Sequence, residues 1–177
     1  MMRTCLCLIR RQTAAGPEVL LALKKSGFGA GKWVGLGGHV EDGEKPEAAA
    51  VREVYEESGL LVPADSLQHM ASIEFRFPTR PPWDQTAEVF VTSAYQGEAT
   101  ESEEVAPQWF GEHELPLSLM WDDAKYWLPL VLAGERVDVL ITFADDCATV
   151  ESIEPELSGL RDPGTGDSAP GATGYLA

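Results

Sequence analysis

The sequence has few cysteines and few basic residues, and each shortage excludes a class of protein. Its three cysteines are an odd number, which argues against a framework of disulfides. Lysine and arginine total 13 against 29 aspartate and glutamate residues, so the formal net charge is −16. Such a surface repels a nucleic-acid backbone, which proteins normally meet with clustered basic side chains. We therefore expect no nucleic-acid polymer as a partner. A small anionic substrate is still compatible with this charge if cations lie between the substrate and the protein.

Long hydrophobic runs are also missing from the sequence. No apolar run approaches the roughly 18 residues that a membrane helix needs. The N-terminal stretch MMRTCLCLIRRQ has an apolar segment too short for the hydrophobic region of a signal peptide, and Arg10 and Arg11 follow it. We therefore expect a cytoplasmic protein without a membrane partner.

The hydrophobic pattern along the chain predicts a mixed fold. The chain has 177 residues, 44% hydrophobic and 24% charged, which predicts an ordinary globular domain with a sizeable core. Helices are predicted at residues 45–58 and 122–133. Strands are predicted at residues 3–9, 18–24, around 33–36, 69–78, 87–95, 105–110, 136–143 and 148–155. Because the helices stand far apart among many strands, we expect an α+β fold, an α/β/α sandwich whose mixed sheet is flanked by helices.

Two parts of the chain differ in composition. Residues 1–157 form the predicted folded domain. Residues 158–177, SGLRDPGTGDSAPGATGYLA, are rich in Gly, Pro, Ser and Thr and are predicted to be a mobile C-terminal tail. Inside the domain, residues 24–44 contain seven glycines, a density that lets a backbone approach a ligand closely.

The predicted helix at residues 45–58 carries an acidic stripe. Glu53, Glu56 and Glu57 stand at i, i+3 and i+4, so their carboxylates share one helix face. Like charges at this spacing weaken a helix by a few tenths of a kcal/mol per pair. Bound divalent cations would cancel that repulsion, and Mg²⁺ takes hard oxygen ligands of this kind together with waters and phosphates. The alternative is an acidic helix face that meets only solvent.

The residues around this stripe follow a fixed spacing. Residues 38–60 read GHVEDGEKPEAAAVREVYEESGL, with Gly38, Glu44, Arg52-Glu53, Glu56-Glu57 and Gly59 separated by five, seven, two and one residues. This stretch resembles the full signature of the Nudix hydrolases. The resemblance implies the Nudix fold and cleavage of a nucleoside diphosphate linked to another group, with Mg²⁺, or else Mn²⁺, as the cofactor.

The same resemblance assigns roles to residues of this chain. It implies metal ligands at Gly38, Glu53, Glu56, Glu57 and Glu104. It implies catalytic roles for the same four glutamates and for Arg52, whose planar fork can hold a neighbouring carboxylate. Glu104 is chosen because it opens the pattern EVAPQWF, residues 104–110, and Glu103 beside it is an alternative. Which carboxylate deprotonates the attacking water stays open.

Three further segments resemble one group of Nudix enzymes, those that hydrolyse oxidised purine nucleoside triphosphates such as 8-oxo-dGTP to monophosphates. They are LALKKSGFGAGKWVGLGGHVEDGE, EEVAPQWF and LMWDDAKYWLPLVLAGE. The resemblance implies substrate-binding roles for Thr4, Lys24, Phe28, Gly37, Gly38, Trp121 and Asp123. Phe28, Trp121 and Asp123 would form the base pocket with Thr4 nearby, and Lys24 would meet phosphate. Core packing for the aromatic pair, and a solvated position for Lys24, are the alternatives.

Two positions depart from that group's pattern for recognising the base. Val34 stands where the relatives carry an asparagine that hydrogen-bonds the purine, and Ala124 stands where they carry a second aspartate. Asp122 replaces a proline, and a one-residue slip would let Asp122 and Asp123 serve as the pair. A site that discriminates by hydrogen bonds loses discrimination when partners are missing. Other purine nucleoside triphosphates therefore remain open, as do a dinucleoside polyphosphate, a nucleotide sugar or a nucleotide sensor without catalysis.

Overall fold

A mixed β-sheet runs through the protein, and the computed structural model describes the chain over residues 1–157. The predicted C-terminal tail, residues 158–177, lies outside the described residues. The strands are β1 (Met2–Thr13), β2 (Gly16–Lys24), β3 (Trp33–Val34), β4 (Leu36–His39), β5 (Gln68–Arg76), β6 (Gln85–Thr92), β7 (Val105–Gly111), β8 (Val137–Phe143) and β9 (Val150–Glu154). The helices are α1 (Pro46–Ser58) and α2 (Ala124–Leu132), and three short 3-10 turns lie at Ala64–Ser66, Pro81–Trp83 and Leu117–Leu119.

The sheet contains both parallel and antiparallel pairs. Its main strand order is β3-β2-β1-β6-β5-β8-β9, while β4 pairs with β1 and β7 pairs with β2. The pairs β1–β6 and β5–β8 are parallel, and the other pairs are antiparallel. This topology brings the ends of β2, β4 and β7 to one region of the sheet beside α1.

The first hairpin differs from its prediction. The sequence predicts strands at residues 3–9 and 18–24 with a turn between them, but β1 continues to Thr13 and pairs residue by residue with β2, from Ile9 opposite Leu20 to Thr13 opposite Gly16. The polar residues Arg10 and Arg11 tolerate this strand position because each finds an acidic partner. Arg10 Nε lies 2.6 Å from Glu112, and Arg11 Nε lies 2.6 Å from Glu18.

Each face of the sheet carries a hydrophobic layer covered by one helix. Ala49, Ala50 and Val54 of α1 pack on the face that includes both buried cysteines of β1. Trp127 and Leu128 of α2 pack on the opposite face with the interior of β5, β6 and β8. The expected α/β/α sandwich is confirmed. Within residues 1–157, no helix is long and apolar enough to cross a membrane.

The two helices are specified in different ways, α1 by local signals at its ends and α2 by burial. Pro46 stands in the first turn of α1, where its missing N–H has no helical acceptor, and Gly59 ends the helix with a left-handed φ of 74°. The helix α2 is shorter than predicted and includes Pro129 in its interior. Its stability rests on burial, since most of its residues are apolar and Leu128 is fully buried.

Leu128→Ala should lower the free energy of unfolding by about 2–5 kcal/mol, because it removes a fully buried side chain and leaves a cavity. Leu119→Ala makes the same chemical change at a leucine that is 57% exposed and should cost about 0.5 kcal/mol or less. Urea denaturation of both variants measures the difference. Equal losses would contradict the packing of α2 described above.

Candidate active site

The glutamates of α1 face a loop that carries further acidic residues. A cavity of about 320 Å³ lies between them, and it is lined by Glu53, Glu56, Glu57, Ser102, Glu103 and Glu104. The sheet makes this meeting possible, because β7 starts directly after the loop and pairs with the end of β2, Lys24 opposite Val105. Tertiary structure thus brings Glu104 to the α1 glutamates across 47 or more residues of sequence, and Glu103 lines the same cavity.

Glu57 is the most enclosed of these carboxylates. It is 5% exposed, and one of its oxygens accepts a hydrogen bond from the backbone N–H of Gly37 at 2.9 Å. Burial raises the pKa of Glu57 to about 7, and the charges of Glu53 and Glu104 act in the same direction, against the Gly37 bond and the charge of Lys24. A nearby cation would relieve the cost of this buried acidic group.

Arg52 fastens the acidic stripe to the preceding loop. Its Nε and Nη2 donate to the two oxygens of Glu44 at 3.0 and 2.9 Å, and Nη2 also donates to the carbonyl of His39 at 2.9 Å. Its Nη1 donates to Glu53 at 2.8 Å and to Glu56 at 3.4 Å. These bonds raise the pKa of Arg52 further above its usual range, Glu44 contributing most, and they restrict the carboxylates of Glu53 and Glu56.

Two glycines allow strand β4 to lie close to both β1 and α1. A Cβ at Gly37 would lie 2.0 Å from the carbonyl oxygen of Cys5, and its φ is 154°. A Cβ at Gly38 would lie 2.6 Å from the carboxylate of Glu53. Any other residue at Gly37 would therefore displace the backbone whose N–H binds Glu57. The carbonyl oxygen of Gly38 lies 3.7 Å from the Cys5 thiol, and its role as a metal ligand stays a prediction.

The oxygen donors around the cavity suit a hydrated divalent cation. Among residues 1–157, no three acidic, thiol or imidazole groups stand close enough to enclose a bare ion. Mg²⁺ is seldom held in an all-protein cage, and it is bound through one or two carboxylates, waters and substrate phosphates. Carboxylates spread around a cavity of about 320 Å³ fit that mode of binding.

A cluster of aromatic rings contains two of the predicted base-pocket residues. Phe28 stacks on Trp121 with ring centroids 4.9 Å apart and planes 20° apart. Phe28 also meets the ring of Trp83 edge-on at 5.0 Å, and Phe77 lies 6.4 Å away. Sequence reasoning assigned no role in the site to Trp83, which lies between two predicted strands, or to Phe77, which lies inside the strand predicted at residues 69–78. Phe28 is 43% exposed, so this cluster is open to solvent on one side.

The neighbouring aspartates Asp122 and Asp123 have different partners. Asp123 is 5% exposed, accepts a hydrogen bond from Trp127 Nε1 at 2.7 Å, and has its pKa raised to about 6 by burial. Asp122 instead accepts from the N–H of Val150 at 2.9 Å and from Lys125 at 2.6 Å. Asp122 therefore ties the start of α2 to β9. These contacts give no support to the alternative in which a one-residue slip lets Asp122 and Asp123 bind the base as a pair.

The remaining predicted residues lie around these two regions. Thr4 donates its hydroxyl to the carbonyl of Thr86 at 2.9 Å and pairs with His39 through the sheet. Lys24, at the end of β2, is near enough to lower the pKa of Glu57, so it lies beside the carboxylate cavity. Val34 is half-buried in β3, and Ala124 is buried at the start of α2. Neither side chain offers a hydrogen bond.

Comparison with known proteins points to one family. A family model described as the NUDIX domain matches residues 2–131 of the chain. The chain is 47% identical over 119 residues to the oxidized purine nucleoside triphosphate hydrolase of Danio rerio, covering 67% of this chain and 74% of the relative.

Two solved structures share the fold at low sequence identity. A MutT protein from Bacillus halodurans has a TM-score of 0.71 at 22% identity, covering 89% of this chain and all of that one. The NUDIX domain of Shewanella oneidensis NrtR, crystallised with ADP ribose, has a TM-score of 0.60 at 14% identity, covering 76% of this chain and 87% of that one. With the family match across most of its length, the chain belongs to the Nudix hydrolase family.

Proposed function

We propose that this Nudix hydrolase cleaves nucleoside triphosphates to a monophosphate and pyrophosphate, with Mg²⁺ as its cofactor and oxidised purines such as 8-oxo-dGTP among its substrates, in the cytoplasmic nucleotide pool. The observation that carries the proposal is the cavity in which Glu53, Glu56 and Glu57 face Glu104. The name of the zebrafish relative, 47% identical, supports the choice of substrate. Nudix hydrolases generally use a divalent metal ion.

The carboxylates around the cavity supply both metal ligands and the base. Glu53, Glu56, Glu57 and Glu104 would hold Mg²⁺, which lowers the pKa of a bound water and neutralises phosphate charge. One of these carboxylates takes the proton of the attacking water. Arg52 keeps Glu53 and Glu56 oriented through its Nη1 bonds. Lys24, beside Glu57, adds a positive charge where the phosphates would lie.

The aromatic cluster supplies the proposed site for the base. A purine stacked on Trp121 would gain about 1–3 kcal/mol, as in comparable nucleic-acid sites. Phe28 now covers one face of that indole, so a base binding there must displace Phe28 or use the other face. Asp123 offers the polar contact, whereas Val34 and Ala124 offer none. We therefore expect a preference for purines. Discrimination among purines should be weaker than in the relatives, which carry an asparagine and a second aspartate at positions 34 and 124.

A panel of substrates tests the proposed reaction. With Mg²⁺, the purified protein should release pyrophosphate and a monophosphate from 8-oxo-dGTP and 2-hydroxy-dATP, and more slowly from dGTP. Because stacking and one aspartate carry recognition, we expect the ratio of kcat/KM between 8-oxo-dGTP and dGTP to be modest, about 10–100-fold. A clear preference for a diadenosine polyphosphate would defeat the proposal, and so would absence of hydrolysis across the panel.

Glu56→Gln and Glu57→Gln should each lower kcat by about 100-fold or more, because each removes a charged oxygen ligand or base while keeping the side chain's shape. Glu47→Gln, in the first turn of the same helix, changes the net charge equally and should leave kcat within about twofold of the parent. Circular dichroism melts check that the variants stay folded. Parent-like turnover in both glutamine variants would mean that the metal ligands are misassigned.

Asp123→Asn should change how stability depends on pH. Burial raises the carboxyl pKa to about 6 in the folded protein from its ordinary value of 3.8, so the folded state binds the proton more tightly than the unfolded state. The stability that this group contributes therefore falls as pH rises from 3.8 to about 6. The neutral variant lacks this loss. When the pH is raised from 5 to 8, the free energy of unfolding of the variant should therefore rise by about 1 kcal/mol relative to that of the parent.

The melting temperatures of parent and variant at these two pH values give the measurement, and only their pH-dependent difference matters. Asp138→Asn removes one exposed carboxylate and serves as the control. If both variants track the parent at every pH, the buried charge of Asp123 does not carry the cost described here.

A further inference from the structure

Lys25, directly after β2, contacts the loop that carries Glu104. We propose that Lys25 is a positioning residue that holds this loop, residues 101–104 and hereafter the acidic loop, where Glu104 faces the glutamates of α1. The inference rests on the proposed function, since it concerns the affinity of the same cavity for a divalent cation.

Lys25 holds the acidic loop through three separate contacts. Its backbone N–H donates to the carbonyl of Glu104 at 2.8 Å. Its ammonium donates to the carbonyl of Ser102 at 2.6 Å and forms an ion pair with Glu101. One residue thus contacts three of the four residues of the loop.

The acidic loop has internal hydrogen bonds that transmit this anchoring. The N–H of Ser102 donates to the carbonyl of Val105 at 3.0 Å. The hydroxyl of Ser102 accepts from the N–H of Glu104 at 3.3 Å and from that of Val105 at 3.2 Å. A short turn closed in this way moves as one unit, so fixing the Ser102 carbonyl also fixes the backbone of Glu104.

Without an anchor, electrostatic repulsion would push the acidic loop away from α1. Glu103 and Glu104 line the cavity opposite the three glutamates of α1, and these like charges repel. Glu101 does not line that cavity, and it is the carboxylate that Lys25 pairs with. The ammonium of Lys25 therefore acts from outside the cavity and acts on the metal only through the loop.

The direction of the effect separates positioning from simple charge. Removing a positive charge beside an acidic site should tighten cation binding if Lys25 acts only through its field. Loss of the anchor should weaken cation binding instead, because part of the binding free energy is then spent on returning Glu104 to the cavity. The two explanations predict changes of opposite sign.

Mn²⁺ binding to the full chain, followed by the electron paramagnetic resonance signal of free Mn²⁺, tests the proposal. Lys25→Met keeps the apolar stem and removes the ammonium, and it should raise the Kd for Mn²⁺ about threefold to tenfold. Lys25→Arg restores a charged donor and should return the Kd to within about twofold of the parent. Lys45→Met, before α1 and away from the acidic loop, matches the charge change and should not raise the Kd.

A double-mutant cycle assigns the effect to Glu104. In a Glu104→Gln background, Lys25→Met should cause no further loss of Mn²⁺ affinity, because the ligand that Lys25 positions is already gone. A persisting loss there would overturn the proposal. Equal or tighter Mn²⁺ binding by Lys25→Met in the parent background would also overturn it, with melting temperatures confirming that the variant is folded.

The same titrations keep this proposal separate from the proposed function. If the parent does not bind Mn²⁺, or if Glu56→Gln does not weaken that binding, the carboxylate cavity is not a metal site and the proposed function fails. If the parent binds Mn²⁺ there and Lys25→Met does not weaken it, only the role of Lys25 fails.

Discussion

Repulsion among the carboxylates on one face of α1 is the constraint on which the rest of the site depends. Helical spacing forces Glu53, Glu56 and Glu57 onto that face, where their mutual repulsion weakens the helix. The protein offsets the repulsion with fixed donors. Arg52 supplies a planar cation to Glu53 and Glu56, and the backbone amide of Gly37 supplies a hydrogen bond to the buried Glu57. Arg52 in turn is oriented by Glu44, so the glycine-rich loop and the helix form one unit.

The carboxylate cavity and the aromatic cluster divide the chemistry between them. In the proposed function, the cavity offers oxygen ligands for a metal ion that would meet the phosphates, and the cluster offers ring faces for a base. The segment after β2 joins them, because Lys25 contacts the acidic loop and Phe28, three residues later, stacks on Trp121. A displacement of this segment would therefore reach both the carboxylate cavity and the aromatic cluster.

Much of the fold follows from local sequence signals. Pro46 and Gly59 mark the ends of α1, and alternating hydrophobic residues place the strands. The extension of β1 to Thr13 was missed because Arg10 and Arg11 look like turn residues until their partners Glu112 and Glu18 are known. Trp83 and Phe77 were missed as cluster members because nothing in their spacing shows which loop their rings would meet.

The sequence by itself determined the family and the acidic stripe, because both depend on residue spacing within one helix and the loop before it. Only the tertiary structure decided the environment of each side chain. It buried Glu57 and raised its pKa, placed Glu104 across the cavity from it, and gave Asp122 to Val150 while Asp123 bonded Trp127. These outcomes follow from sheet register and helix packing, which bring together residues far apart in the chain and which no local pattern encodes.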